Sequence, residues 1–430
     1  MFSIHMSPIF DFSEVKPHTK AMNKSYLYIV GKSDPQSSTV SAIRAAGYGV
    51  GILVDTLIDL KNPELFDRIE QVDYAHIDHE LLRLDTLDLN IMGLLCTYEN
   101  YIVAKAKIGA HFHVPVQSLE SAKLSTDKSL MRHAFLEADP TISPDYTTAD
   151  NLDQALQFAA DHSYPLMIKP TNLVKSLLVL KCDDEQQLTE RFTYAAATIG
   201  ELYAKYNIYD RLPQLIIEEF VVGEQYSIAA FVDHEGTPHF CDGIVSLKNA
   251  QDIHVDDNYL YSRTLPVEVS IEVEAEMFRV AEAGVRALKM QSVPAHIELM
   301  VGKSGVKIIE IGARTGGYRP RMYSYSYGID MIQQEVKLAL GEQPNLSGTF
   351  KTYCATYELF PEKEGVFEKI TGDLDPKVFA YYRVTASIGD HIGPAKNGHK
   401  AAAIIIVTDD NKQTFEALCL RIDTAKVQVS

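Results

Sequence analysis

Two glutamates interrupt runs that are otherwise apolar. Glu298 lies in the stretch 295–301 and Glu310 in 306–311, twelve positions apart, with Gly302-Lys303-Ser304-Gly305 between them as a hairpin turn. A carboxylate inside a β-branched run is costly to bury unpaired, and a divalent cation is the usual partner for converging carboxylates. Arg314 follows as a charged fork, and Gly316-Gly317 as backbone that a ligand can approach closely. The plain alternative is a surface hairpin with both acids in water. Other charges end strands or break apolar runs elsewhere: Lys128, Lys169 and the pair Glu218-Glu219. Two such lysines with two metal-binding carboxylates make a nucleoside triphosphate site without a glycine-rich P-loop. The stretch Glu218-Glu219-Phe220-Val221 offers backbone amides and carbonyls on an extended hinge with apolar neighbours, which suits a purine base.

The elements that carry these residues read as α/β. SYLYIV, a helix over TVSAIRAAGY and the strand GVGILVD alternate as a parallel unit. Strands in VDYAHID and LDLNIMGLLCTYEN and a helix in ENYIVAKAKIGAHF continue it. One amphipathic helix is expected across SLESAKLSTDKSLMRHAFLEADP, then a loop at TISPDYTTAD and a helix in NLDQALQFAADHS. The strand YPLMIKP ends in Lys169-Pro170, and SLLVLKC is a second strand after the loop 171–176. A long helix leads to the strands either side of the hinge, and IEVEAEMFRVAEAGVRALKM delivers the chain to the acidic hairpin. GGYRPRMY reads equally as loop, with Tyr323, Tyr325 and Tyr327 lining a pocket or packing. Beyond about 350, strands and turns alternate before a helix in QTFEALCLRI. Gly31-Lys32-Ser33 and the glycines of 47–51 lack the spacing of phosphate-binding fingerprints.

Composition narrows the partners. A net charge of −18 argues against nucleic acid or an anionic membrane as the main partner. The five cysteines are scattered, which fits free thiols in a reducing cytosol. No secretory signal or membrane-spanning run is evident, so a cytoplasmic protein is expected.

The order DKSLMR, LMIKP, IIEEFVVGEQYS, HIEL and IIEIGARTGG resembles the ATP-grasp superfamily, and within it carboxylate–amine ligases of the amino-acid type. The resemblance covers nearly the whole chain. It implies a lead-in at 1–24, a pre-ATP-grasp parallel α/β domain at 25–118, a two-lobed ATP-grasp α+β domain at 119–345 with its lid lobe at about 140–220, and a β-rich C-terminal extension at 346–430. Lys128 and Lys169 then contact ATP phosphates under a lid that includes Ser176. Glu218 and Val221 hold adenine through backbone groups on the hinge shared with Glu219 and Phe220, and Glu224 or Gln225 reaches the ribose. Glu298 and Glu310 bind Mg2+, with Mn2+ as an alternative. Arg314 grips an acyl phosphate or a substrate carboxylate and is, with Lys169, the catalytic pair. Gly316, Gly317, Arg319 and Arg263 belong to the substrate side.

Three departures from the family pattern stand out, one being a ribose acid that is displaced or becomes Gln225. The lid loop 171–176 contains no glycine, and Gly312 stands where an Asn ligand is common, with water as its expected replacement. The implied reaction joins a small carboxylate to an amine through an acyl phosphate, releasing ADP and phosphate. The alternatives are a carboxylase or purine-pathway enzyme activating bicarbonate or formate, and a non-catalytic ATP-binding module. Homodimers are common among similar proteins.

Overall fold

The computed structural model describes residues 25–34, 37–173, 177–206, 208, 211–255, 257 and 259–430. The lead-in 1–24 and Ser176 of the lid lie outside them. Strands Arg68–Val72, Gly49–Asp55, Tyr26–Gly31 and Ile91–Leu95 lie side by side in that order as a parallel sheet. Tyr26–Gly31 and Gly49–Asp55 are buried at every position, as strands covered on both faces must be. The third strand comes earlier than VDYAHID suggests. Asp73 accepts from the Ala75 amide and turns that segment into the 3-10 turn Tyr74–His76.

A second, antiparallel sheet runs in the order Tyr146–Ala149, Leu215–Glu219, Leu166–Pro170, Leu180–Cys182. Helices Leu152–Asp161 and Glu185–Lys205 cover it with their apolar faces. Tyr146–Ala149 lies in a stretch that reads as loop; pairing Thr147 and Thr148 with Ile217 and Ile216 makes it a strand. Long-range pairing overrides local propensity there.

The third sheet holds the acidic hairpin at one edge. Its order is Gly305–Gly312, Val293–Gly302, Glu224–Val232, Val245–Asn249, Leu260–Leu265, Tyr353–Leu359, Ala403–Asp409, Tyr381–Val384, with Pro238–Phe240 also paired to Glu224–Val232. Leu260–Leu265 pairs with Tyr353–Leu359, so one sheet continues across position 346. Helix Ile271–Ala287 packs on the hairpin, and Gly284 lets it lie directly on Ile308 and Ile311.

The helix expected across 118–140 is two. Asp127 takes an extended backbone, and its carboxylate accepts from the Ser129 and Leu130 amides. That cap ends one helix at Leu124 and starts Lys128–Ala138, with Lys128 at its first position and the Lys128 amide on the Thr171 carbonyl at 2.6 Å. Removing the cap with Asp127→Ala should cost about 1 kcal/mol. The measurement is the urea midpoint, which should fall at constant slope; an unchanged midpoint would contradict the capping account.

Candidate active site

Register decides the arrangement. Glu298 stands directly opposite Glu310 in the antiparallel hairpin, with an irregularity immediately after it at Leu299. Directly opposed side chains share one face, with Cβ atoms about 5 Å apart, so two carboxylates there repel. The neighbours offset that repulsion. His296 Nε2 lies 3.2 Å from Glu298 Oε1, and Gln225 Nε2 donates to Glu298 Oε2 at 3.1 Å. Lys128 Nζ donates to Glu310 Oε1 at 3.0 Å. Burial pushes the Glu298 carboxyl up, but the His296 hydrogen bond and the charges of Arg319 and Arg314 outweigh it and hold it at about 2. Burial pushes His296 down, against the hydrogen bond and charge of Glu298, which pull it up. Burial alone would lower Lys128; the Glu310 carboxylate overrides it and keeps the ammonium charged.

A second buried constellation sets Lys169. Its Nζ donates to Glu218 Oε2 at 2.6 Å, and Arg132 Nε donates to Glu218 Oε1 at 2.9 Å. Arg132 Nη2 also donates to the Ile309 carbonyl at 2.7 Å, next to Glu310. Burial raises the Glu218 carboxyl, yet the two cations hold it at about 2. Glu218 therefore contributes a side chain that positions Lys169, besides lying at the hinge. Arg132 has no role in the sequence reading. Its one signal is its place four residues after Lys128, hence on the same helix face.

Beyond Glu219 the strand ends. The Glu219 amide donates to the Asp145 carbonyl at 3.0 Å and the Phe220 amide to the Pro165 carbonyl at 3.3 Å. Lys181 Nζ lies 4.9 Å from the Phe220 ring centroid. Val221 is buried, and its amide has no partner among the described residues, so it is available to a base. The two candidates for the ribose have other partners. Glu224 accepts from the Tyr226 hydroxyl, and the Gln225 amide is shared between Glu298 and Asn249.

Two arginines lie near enough to Glu298 to act on its charge. Arg314 Nε donates to Glu99 Oε2 at 2.8 Å, and its Nη1 to the Thr315 carbonyl at 3.2 Å. Arg319 opens helix Arg319–Tyr327, where GGYRPRMY reads equally as loop. It is buried, donates to Ser227 Oγ at 2.9 Å and to the Gly317 carbonyl at 3.2 Å, and burial lowers it to about 10. Arg263 pairs with Glu358 at 2.8 Å, and its guanidinium lies 5.1 Å from the Tyr318 ring centroid. Gly316 serves packing, because a Cβ there would come within 2.5 Å of His296 Nδ1, whereas Gly317 faces open space. Tyr323 is buried with its hydroxyl on the Gly243 carbonyl, so it packs.

The residues present fit a hard divalent ion. Two opposed carboxylates, one of them held fully ionised, are oxygen donors of the kind Mg2+ takes. Among the described residues, the only trio of potential ligands within 4.8 Å of one another is Glu364, His391 and His399, elsewhere in the molecule. An ion at the hairpin therefore needs further oxygens, which nucleotide phosphates supply.

Residues 162–335 match the family model for the ATP-grasp domain. The chain carries an ATP-grasp domain. The ATP-grasp resemblance and the mixed α/β fold expected from the sequence hold, and ATP-grasp enzymes use ATP and Mg2+. An uncharacterized protein, y4rH, of Sinorhizobium fredii is 24% identical over 363 residues, covering 82% of this chain and 71% of that protein. A phosphoribosylamine–glycine ligase of Methanosphaera stadtmanae is 26% identical over 224 residues, covering 49% of this chain and 48% of that enzyme. The chain thus aligns with about half the length of that relative. The crystal structure of an L-amino acid ligase from Bacillus licheniformis superposes with a TM-score of 0.76 at 19% identity, covering 95% of this chain and 100% of the other. Among the described residues, no helix is long and apolar enough to cross a membrane.

A buried acid braces the arginine loop of the ATP-grasp domain from behind. Thr315 donates its hydroxyl to Glu335, on helix Met331–Ala339. Burial pushes the Glu335 carboxyl up to about 8, only partly countered by Lys105. Between the ordinary carboxylate range and pH 8 the folded chain therefore holds a proton that the unfolded chain has lost. Stability falls as pH rises through that window. Glu335→Gln removes the dependence while keeping an acceptor for Thr315. The variant should gain on the order of a few kcal/mol over the parent between pH 5 and pH 8.5. Parallel denaturation curves at the two pH values would contradict the assignment.

Proposed function

We propose that this ATP-grasp protein is an ATP-dependent ligase that joins a small carboxylate to an amine, with an amino acid as one substrate. The reaction runs through an acyl phosphate and releases ADP and phosphate. The observation that carries this reading is the opposed pair Glu298–Glu310, with Lys128 bonded to Glu310 and the charges of Arg314 and Arg319 acting on Glu298. Cation-binding and anion-binding groups thus gather in one place. Such an arrangement suits a triphosphate meeting a carboxylate.

Bound Mg2+ would neutralise triphosphate charge at Glu298 and Glu310, which makes the γ-phosphorus open to attack. The chain's own residues do the positioning. Lys169, fixed on Glu218 by the Arg132 strut, and Lys128, fixed on Glu310, present ammonium groups to phosphate oxygens. The free Val221 amide receives the base edge. Arg314 holds the substrate carboxylate while its oxygen attacks the γ-phosphate, and ADP leaves. The amine nitrogen then attacks the acyl carbon, phosphate departs, and the amide remains. Placing the reactants and neutralising charge account for the catalysis, with no protein nucleophile required. The thiols fit that account: Cys96, Cys241 and Cys354 are buried, and burial raises all three out of the reactive range. The ligase names among the similar proteins support the reading, and two of them name an amino acid.

The test is phosphate release from Mg·ATP across a matrix of amino acids, other small acids, amines and bicarbonate, with mass spectrometry of the products. Release should rise above background only when a carboxylate and an amine are both present, with a product mass equal to their sum less water. Release driven by bicarbonate alone would contradict the proposal. Glu310→Gln should lower turnover by about 10²-fold or more with an unchanged circular dichroism spectrum. Unaltered turnover would rule out the metal floor.

A further inference from the structure

We infer that Glu99, from the N-terminal sheet domain, supplies the metal-binding oxygen that Gly312 cannot, so that a divalent ion accompanying the nucleotide is held between Glu310 and Glu99. The inference rests on the Mg·ATP reading of the site and goes beyond it by naming a ligand from outside the ATP-grasp domain. Glu99 opens the short turn Glu99–Tyr101, which joins strand Ile91–Leu95 to helix Ile102–His111. Its side chain is only 12% exposed.

Three observations converge on it. A Cβ at Gly312 would stand 3.4 Å from Glu99 Oε2, in ordinary contact. The Glu99 carboxylate therefore fills the space into which a ligand side chain at 312 would project. Next, Glu99 is only half used. Oε2 accepts from Arg314 Nε at 2.8 Å, while Oε1 is buried with no partner among the described residues. A buried carboxylate serving only as a counter-ion for arginine would be expected to take two parallel hydrogen bonds, because an unmet buried acceptor is costly. Last, the groups facing Glu99 set its charge. Burial raises its carboxyl and the charge of Glu310 adds to that, against Arg314 and Lys128. Two acids near enough to act on each other's charge, one with a bare buried oxygen, suit a cation between them. Oε1 is free to ligate while Oε2 keeps Arg314 in place.

The ion and the arginine would then share one carboxylate, and occupation of the metal site would depend on the N-terminal domain. Mn2+ serves as the probe, counted by the loss of its free-ion electron paramagnetic resonance signal in the presence of a saturating non-hydrolysable ATP analogue. The wild-type chain should take up two Mn2+. Glu99→Gln should keep one and weaken the other by about 10–100-fold. The double variant Glu99→Ala with Gly312→Asn should recover the second ion, since removing Glu99 opens the space beside position 312. Wild-type Mn2+ uptake in Glu99→Gln would overturn the inference, including the case where only the KM for the amine rises and Glu99 proves to bind that substrate. Loss of the ion without recovery in the double variant would assign the effect to a displaced Arg314 and overturn it as well. A wild-type chain that takes up no Mn2+ with the nucleotide would instead remove the ATP reading itself.

Discussion

Two carboxylates set directly opposite each other on a β-ladder repel, and this chain keeps both. Much of the site can be read as the response to that one constraint. Lys128 leans on Glu310, while His296 and Gln225 donate to Glu298. Arg319, buried beneath Ser227, adds positive charge behind the pair. Hydrophobic packing alone would favour apolar residues at both positions. The acids are tolerable because their compensation is built from side chains that also suit a nucleotide and an anionic substrate. Stability and binding capacity come from the same groups.

The compensation reaches across several parts of the fold. The Glu218 strut draws on the helix that carries Arg132 and the strand that carries Lys169, and its third contact falls on the backbone beside Glu310. The four-stranded antiparallel sheet and the hairpin are thereby coupled through one buried anion. Such a network is strong only when complete: removing one member leaves a buried charge without a partner. Arg314 is tied to Glu99 in the N-terminal sheet domain, and Arg263 to Glu358 on a strand beyond position 350. Segments far apart in sequence thus orient the arginines, which ties their geometry to the packing of those segments.

The parts of the site legible in the sequence were those that broke a local pattern. Glu298 and Glu310 stand out because a strand run should be apolar, and Lys169 because it ends one. Arg132 breaks no pattern: a polar residue on an amphipathic helix reads as surface, and only its place against Glu218 of the four-stranded sheet makes it core. Glu99 precedes Arg314 by 215 positions and sits in an ordinary strand-to-helix turn, so nothing local marks it. The same physics explains the misread elements. Tyr146–Ala149 becomes a strand through a partner strand far along the chain. Helix Arg319–Tyr327 buries both Arg319 and Tyr323, which erases the alternation of apolar and polar faces that would announce it.

The central claim is that the hairpin acids act as a floor for a metal–nucleotide complex, and calorimetry tests it most directly. A non-hydrolysable ATP analogue is titrated into the protein with Mg2+ present and again with all divalent ions chelated. If the opposed carboxylates require a cation before phosphates can approach, binding should be at least about tenfold tighter with Mg2+. Equal affinity under the two conditions would contradict the account.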